Sequence, residues 1–86
     1  MGFHAARAER SPQLQRLLAV LREAGARGIT SLELQEKSHL VAIATRVSEL
    51  RHNGYDIQCA LERISIDGAR IYRYKLIPAE KQGELF

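Results

Sequence analysis

A chain of 86 residues is long enough for one small core and too short for two. Its 45% apolar content, 6% aromatic content and lack of Trp point to a folded core of Leu, Ile and Val. No apolar run is long enough to span a bilayer and the N-terminal stretch lacks the apolar segment of a secretory leader, so the expected location is the cytoplasm.

The formal net charge of +3, with ten Arg and three Lys among the cations, leans mildly towards an anionic partner. Arg offers the planar fork that suits phosphate and guanine edges, although a charge of this size is also common in proteins that never meet nucleic acid. Residues 1–10, with His4, Arg7, Glu9 and Arg10 among several alanines, show no apolar stripe and are expected to form a flexible arm. Such an arm suits DNA, and an unstructured end is the simpler reading.

Ser11-Pro12 is a helix-start signal: Ser caps, and Pro at the first helical position has its φ preset and no amide to leave unpaired. Leu14, Leu17, Leu18 and Leu21 then recur at helical spacing, and Gly25 to Gly28 stop the helix. Thr30 with Glu33 makes a capping box, flanked by Ile29 and Leu34 as a hydrophobic staple. Ser38 and His39 break this second helix, because short polar side chains bond nearby backbone groups and compete with helix continuation.

In the third helix Leu40, Ile43, Ala44, Val47 and Leu50 follow spacings of three and four and are expected on its buried face. Val41, Ala42, Thr45, Ser48, Glu49 and His52 fall on the opposite face, with Arg46 at its edge, and Gly54 ends the helix. An outer face of small residues, a hydroxyl and a flanking Arg lets a helix approach a groove closely, although an ordinary solvated face has the same composition.

After Gly54 the period changes from about 3.6 to 2. Asp67-Gly68 predicts a type I′ hairpin turn. Centred there, it sets Ile64 opposite Ile71, Arg63 opposite Tyr72, Glu62 opposite Arg73 and Leu61 opposite Tyr74. One face then carries Ile57, Cys59, Leu61, Arg63, Tyr72, Tyr74 and Leu76 and is apolar except near the tip. The other is largely polar, with Glu62–Arg73 and Ile64–Ile71 as cross-strand pairs. Cys59, the only cysteine, is expected to be a small buried hydrophobe.

Three helices followed by a two-stranded β-hairpin give an α+β fold over residues 11–77, a winged helix-turn-helix, with a flexible tail at 78–86. The run ITSLELQEKSHLVAIATRVSELRHNGYDI, followed by a hairpin ending in RIYRYKL, resembles the small winged helix-turn-helix proteins of bacteriophages and prophages. In those an ITxLEAL-like helix precedes an RxSELRxxGY-like helix and a basic wing. The resemblance covers residues 13–77, and Lys37-Ser38-His39 stands where a Gly-containing turn is often found. It implies DNA binding, and the expected role is that of a phage- or prophage-type transcriptional regulator.

On that reading Thr45 and Arg46 meet the groove of double-stranded DNA with Ser48 and His52 nearby, while Arg63, Arg70 and Arg73 on the wing meet phosphate or an adjacent minor groove. Glu49 on the same face opposes this unless it accepts from a cytosine amine or pairs with Arg46. Arg51 falls beside the buried stripe and is expected to snorkel or pair internally rather than read bases.

An enzyme is not expected. The histidines and Cys59 lack metal-ligand spacing, no element gathers two carboxylates for acid–base work, and the glycines form no phosphate loop, so neither metal nor cofactor is implied. Tyr72 and Tyr74 alternate onto the expected core face, where packing with the hydroxyl at the edge is the simpler role than base stacking.

The last five residues, QGELF, resemble the bacterial sliding-clamp binding motif, in which Gln, a penultimate Leu and a final Phe enter a groove on the clamp. Gln82, Leu85 and Phe86 match; Gly83 and Glu84 replace the common Leu and the common Ser or Asp. That resemblance implies a replication or recombination accessory factor as an alternative. A second alternative is a winged helix acting on a host protein, favoured by the low net charge and Glu49. With no extra helix after the wing, a monomer or weak homodimer is expected.

Overall fold

In the computed structural model, Arg7 and residues 10–78 are described. Most of the expected N-terminal arm and the tail residues Gln82, Leu85 and Phe86 lie outside them. Helix α1, Pro12–Ala24, starts as its sequence predicts: the Leu14 amide donates to Ser11 Oγ at 3.2 Å and Pro12 takes the first position. Leu14, Leu17, Leu18 and Leu21 are all buried. Each contributes about 1.5–3 kcal/mol of apolar burial, so this one face supplies much of the core.

A single 3-10 turn, Gly25–Arg27, returns the chain to a short strand β1, Ile29–Thr30. Gly28 makes the return possible, because at φ 75° a Cβ would lie 2.7 Å from the Tyr74 carbonyl oxygen. Thr30 then caps α2, Ser31–Ser38, by the expected capping box: the Glu33 amide donates to Thr30 Oγ1, and the Thr30 amide donates to Glu33 Oε1, both at 3.2 Å. Ile29 and Leu34 are both in the core, as a staple requires. The other end is also closed from within. Ser38 is fully buried and donates its hydroxyl to the Leu34 carbonyl at 2.6 Å, while His39 takes a left-handed conformation at φ 58°.

Helix α3, Ile43–His52, begins later than its sequence predicts. Leu40 to Ala42 form the turn, with Ala42 at φ 55°. Leu40 is nonetheless buried, reaching the core from the turn rather than from the helix. The buried row of α3 narrows to Ile43, Val47 and Leu50, and the expected burial of Ala44 fails, since Ala44 is exposed. A helix started at Ile43 turns Ala44 about 100° away from that row. Arg51 pairs internally as expected, donating through Nε and Nη2 to the Ile57 carbonyl at 3.1 and 2.6 Å.

Strands β2, Ile57–Ile64, and β3, Arg70–Leu76, form the hairpin. The expected two-stranded wing is extended by β1, which pairs antiparallel with β3, giving the order β1-β3-β2. A two-residue strand is too short to show a period of 2, and its residues already read as the staple and cap of α2.

The type I′ turn is also replaced. That turn needs positive φ at both central residues, and Asp67 does not adopt it, whereas Gly68 does at φ 89°. The Gly68 amide donates to the Ser65 carbonyl at 2.9 Å and the Ser65 amide to the Ala69 carbonyl at 2.8 Å, so the loop has three residues with glycine in the left-handed place.

Register changes accordingly. Ile64 faces Arg70 and Arg63 faces Ile71; after an irregularity between Leu61 and Arg63, Leu61 faces Tyr72 and Cys59 faces Tyr74. From Ile57 to Leu61 the slip from the expected register is two residues, which preserves the faces. The pair Ile64–Ile71 is lost, leaving Ile64 exposed and Ile71 buried. The expected apolar face is covered only near the root of the hairpin. Ile57 and Tyr74 are buried, with Tyr72 and Leu76 packed beside them, but Leu61 is exposed and so is Cys59, contrary to its expected burial.

Candidate nucleic-acid interface

On α3, Thr45, Ser48 and His52 follow one another at spacings of three and four and share the outer row; Thr45 and His52 are exposed and Ser48 is half-buried. Glu49 leaves that row. It is 8% exposed and receives Arg46 Nη1 at 2.6 Å. Glu49 is thus buried at a position of polar spacing, with its charge met by Arg46 one turn earlier on the same helix. The carboxylate expected to oppose phosphate is therefore neutralised, and the arginine expected at the groove is turned along the helix.

The wing arginines divide in the same way. Arg63 and Arg70 sit on adjacent rungs near the tip, both exposed, and among the described residues neither side chain makes a hydrogen bond or ion pair. Arg73 is engaged. Its Nε and Nη2 both meet the Glu62 carboxylate, the latter at 3.1 Å, and its Nη1 donates to the Arg27 carbonyl at 3.2 Å. The expected Glu62–Arg73 pair thus forms even though Arg73 directly faces Ala60. Hydrogen bonding to Arg73 holds the Glu62 carboxyl below its ordinary range, and Glu62 raises Arg73 in return.

Beyond the candidate residues, the structure brings forward Val41, which is 74% exposed in the turn leading into α3. The helical period puts it on the outer face, where a helix starting at Leu40 makes it one residue among several. The sign in the sequence that the turn runs longer is His39, two residues before it, of a type that tolerates the left-handed region. Tyr74 is buried, and burial foremost, with the Cys59 thiol beside it, pushes its phenol up, so it has no open face for base stacking.

Among the described residues no three His, Cys, Asp or Glu side chains gather as metal donors, and no helix is long and apolar enough to cross a membrane. What the surface offers is a helix row of Thr45, Ser48 and His52 that displays no carboxylate, and two open guanidinium groups on the hairpin. Residues 12–76 match the family described as a winged helix-turn-helix domain. Comparisons with curated proteins and with solved structures gave no match.

Proposed function

The chain belongs to the winged helix-turn-helix domain family, and from that premise we propose that it binds double-stranded DNA, with the outer row of α3 in the major groove and Arg63 and Arg70 on phosphate. The observation that carries this reading is the withdrawal of Glu49 into its pair with Arg46. It leaves the outer row of Thr45, Ser48 and His52 without a carboxylate to repel the backbone. Arg46 and Arg73 support the surface through their ion pairs rather than as first contacts. Transcriptional regulation of the phage or prophage type, in the cytoplasm and on the nucleoid, is the role we assign, acting as a monomer or weak homodimer.

Salt tests it. Binding to phosphate releases counterions, so affinity for a mixed-sequence duplex should fall steeply from low to physiological salt. Replacing Arg63 and Arg70 by Ala should weaken every duplex alike and lower the salt slope by roughly one per lost contact. Fluorescence anisotropy reads both, and unchanged affinity in the double variant would remove the wing from the interface.

A second reading is favoured by the sequence QGELF: attachment to the bacterial sliding clamp through Gln82, Leu85 and Phe86. Deleting residues 82–86 should then abolish capture by the clamp and leave the unfolding transition unchanged. The use of the domain against a host protein loses one of its supports, because Glu49 is not displayed.

A further inference from the structure

Building on the DNA-binding reading above, we infer that the leading end of α3 recognises the 5-methyl groups of thymines in the major groove, through Val41, Ala42 and Thr45. In a helix-turn-helix the N-terminal residues of the second helix meet the base edges. Here that end begins with Val41, a large apolar side chain 74% exposed that the core does not use. Beside it Ala42, Ala44 and Thr45 are all exposed, and the first turn carries no acidic residue. The surface is therefore made of methyl groups and a single hydroxyl, small enough for close approach.

The chemistry of the groove selects the partner. Guanine is read by a cationic fork on its O6 and N7, and cytosine by an acceptor for its amine; thymine alone adds an apolar group to the major-groove edge. Both arginines of α3 are committed elsewhere, Arg46 to the Glu49 carboxylate and Arg51 to the Ile57 carbonyl. Freeing Arg46 for a guanine would take a cationic partner from a buried carboxylate, which is strongly opposed. Ser48 and His52 stand further along the helix, away from its leading end. Binding energy from the open wing arginines is then common to all sequences, and the methyl contacts provide the discrimination.

The test starts from duplexes enriched out of a random pool by the full chain at low salt. In the enriched site each thymine is replaced by deoxyuridine, which lacks only the methyl group. Two or three adjacent positions should each weaken binding about fourfold, equivalent to about 0.8 kcal/mol for one buried methylene-sized group. Val41→Ser, a change at an exposed turn position, should bind the thymine and uracil duplexes alike at one of those positions while keeping its salt dependence. A fully uracil-substituted site bound as tightly as the original would overturn the inference and leave DNA binding standing. So would a V41S protein that still discriminates at every position. A chain that enriches no duplex at low salt would overturn the DNA-binding reading itself, and this inference with it.

Discussion

Helices α2 and α3 are consecutive and similar in length, yet they begin in opposite ways. At α2 a side chain closes the first turn, with Thr30 and Glu33 bonding each other's amides, and the residue before the cap is a strand residue buried in the core. At α3 no side chain caps the helix; Ala42 occupies the left-handed region at φ 55° and Val41 before it is exposed. One entrance is built to stay where the core puts it. The other leaves its outer end uncovered, and it is the one that the thymine-methyl inference directs at a base edge. On that proposal, stability and recognition are separated by only a few residues of chain.

The largest test of the closed entrance is Gly28→Ala. Gly28 seats β1 against β3 just ahead of the α2 cap, and an added Cβ would meet the Tyr74 carbonyl oxygen and Lys75 Cγ at 2.7 Å while being held at φ 75°. Positive-φ strain of about 1–3 kcal/mol, in an extended conformation that essentially only Gly adopts, and overpacking of about 1–3 kcal/mol act together. Urea unfolding should show a loss of about 3 kcal/mol. A loss below about 1 kcal/mol would mean that β1 is not held as described and that the α2 entrance does not rest on the sheet.

The two caps should respond to substitution with opposite sign. Thr30→Ala removes the capping acceptor and should destabilise by about 1 kcal/mol. Ala42→Gly relieves a left-handed alanine and should stabilise by about 0.5 kcal/mol, the relief being partly offset by the greater freedom of glycine in the unfolded chain. The midpoints of urea denaturation of the two variants should lie on either side of the parent. If Ala42→Gly were destabilising, the backbone of the α3 entrance would not be left-handed and the two entrances would not differ in kind.

These entrances also explain what was legible in the sequence. Where a side chain makes the local structure, the sequence displays it: Ser11 with Pro12, Thr30 with Glu33 and Ser38 all act where their spacing predicts. Where backbone conformation alone makes it, no residue type announces it. Ala42 carries no signal for a left-handed turn, so the period predicts α3 from Leu40 and Ala44 in the core, whereas the helix begins at Ile43 and Ala44 is exposed. Asp67-Gly68 carries a signal for two left-handed residues, but only Gly68 uses it, and the hairpin register moved as a result. At the interface the outer row of α3 was readable from period alone. The pairing of Glu49 with Arg46 was one of two options there, but its burial was not readable, because spacing gives the angle of a side chain and not what packs around it.

The finest distinction between the entrances is electrostatic, because only the closed one is capped by a carboxylate. Hydrogen bonds from Thr30, its backbone amide first and its hydroxyl second, hold the Glu33 carboxyl below its ordinary value of 4.5, with Arg73 and Lys37 adding to the effect. A carboxyl depressed on folding contributes stability that is present above the unfolded value and is lost as the pH falls through the folded one. Glu33→Gln isolates this contribution, since Gln at the same place still completes a capping box but does not ionise. Above about pH 5 the parent should be the more stable of the two, and below the depressed value that difference should disappear. Glu62 and Asp67 are depressed as well, by Arg73 and by Ser65, so both proteins lose stability in acid and only their difference reports on Glu33. Because the carboxylate is open to solvent, the gap should also shrink with added salt. A parent–variant gap that stays constant from pH 6 to pH 3 would show that the ionised carboxylate adds nothing to the cap, and that the α2 entrance is held by geometry alone, as the α3 entrance is.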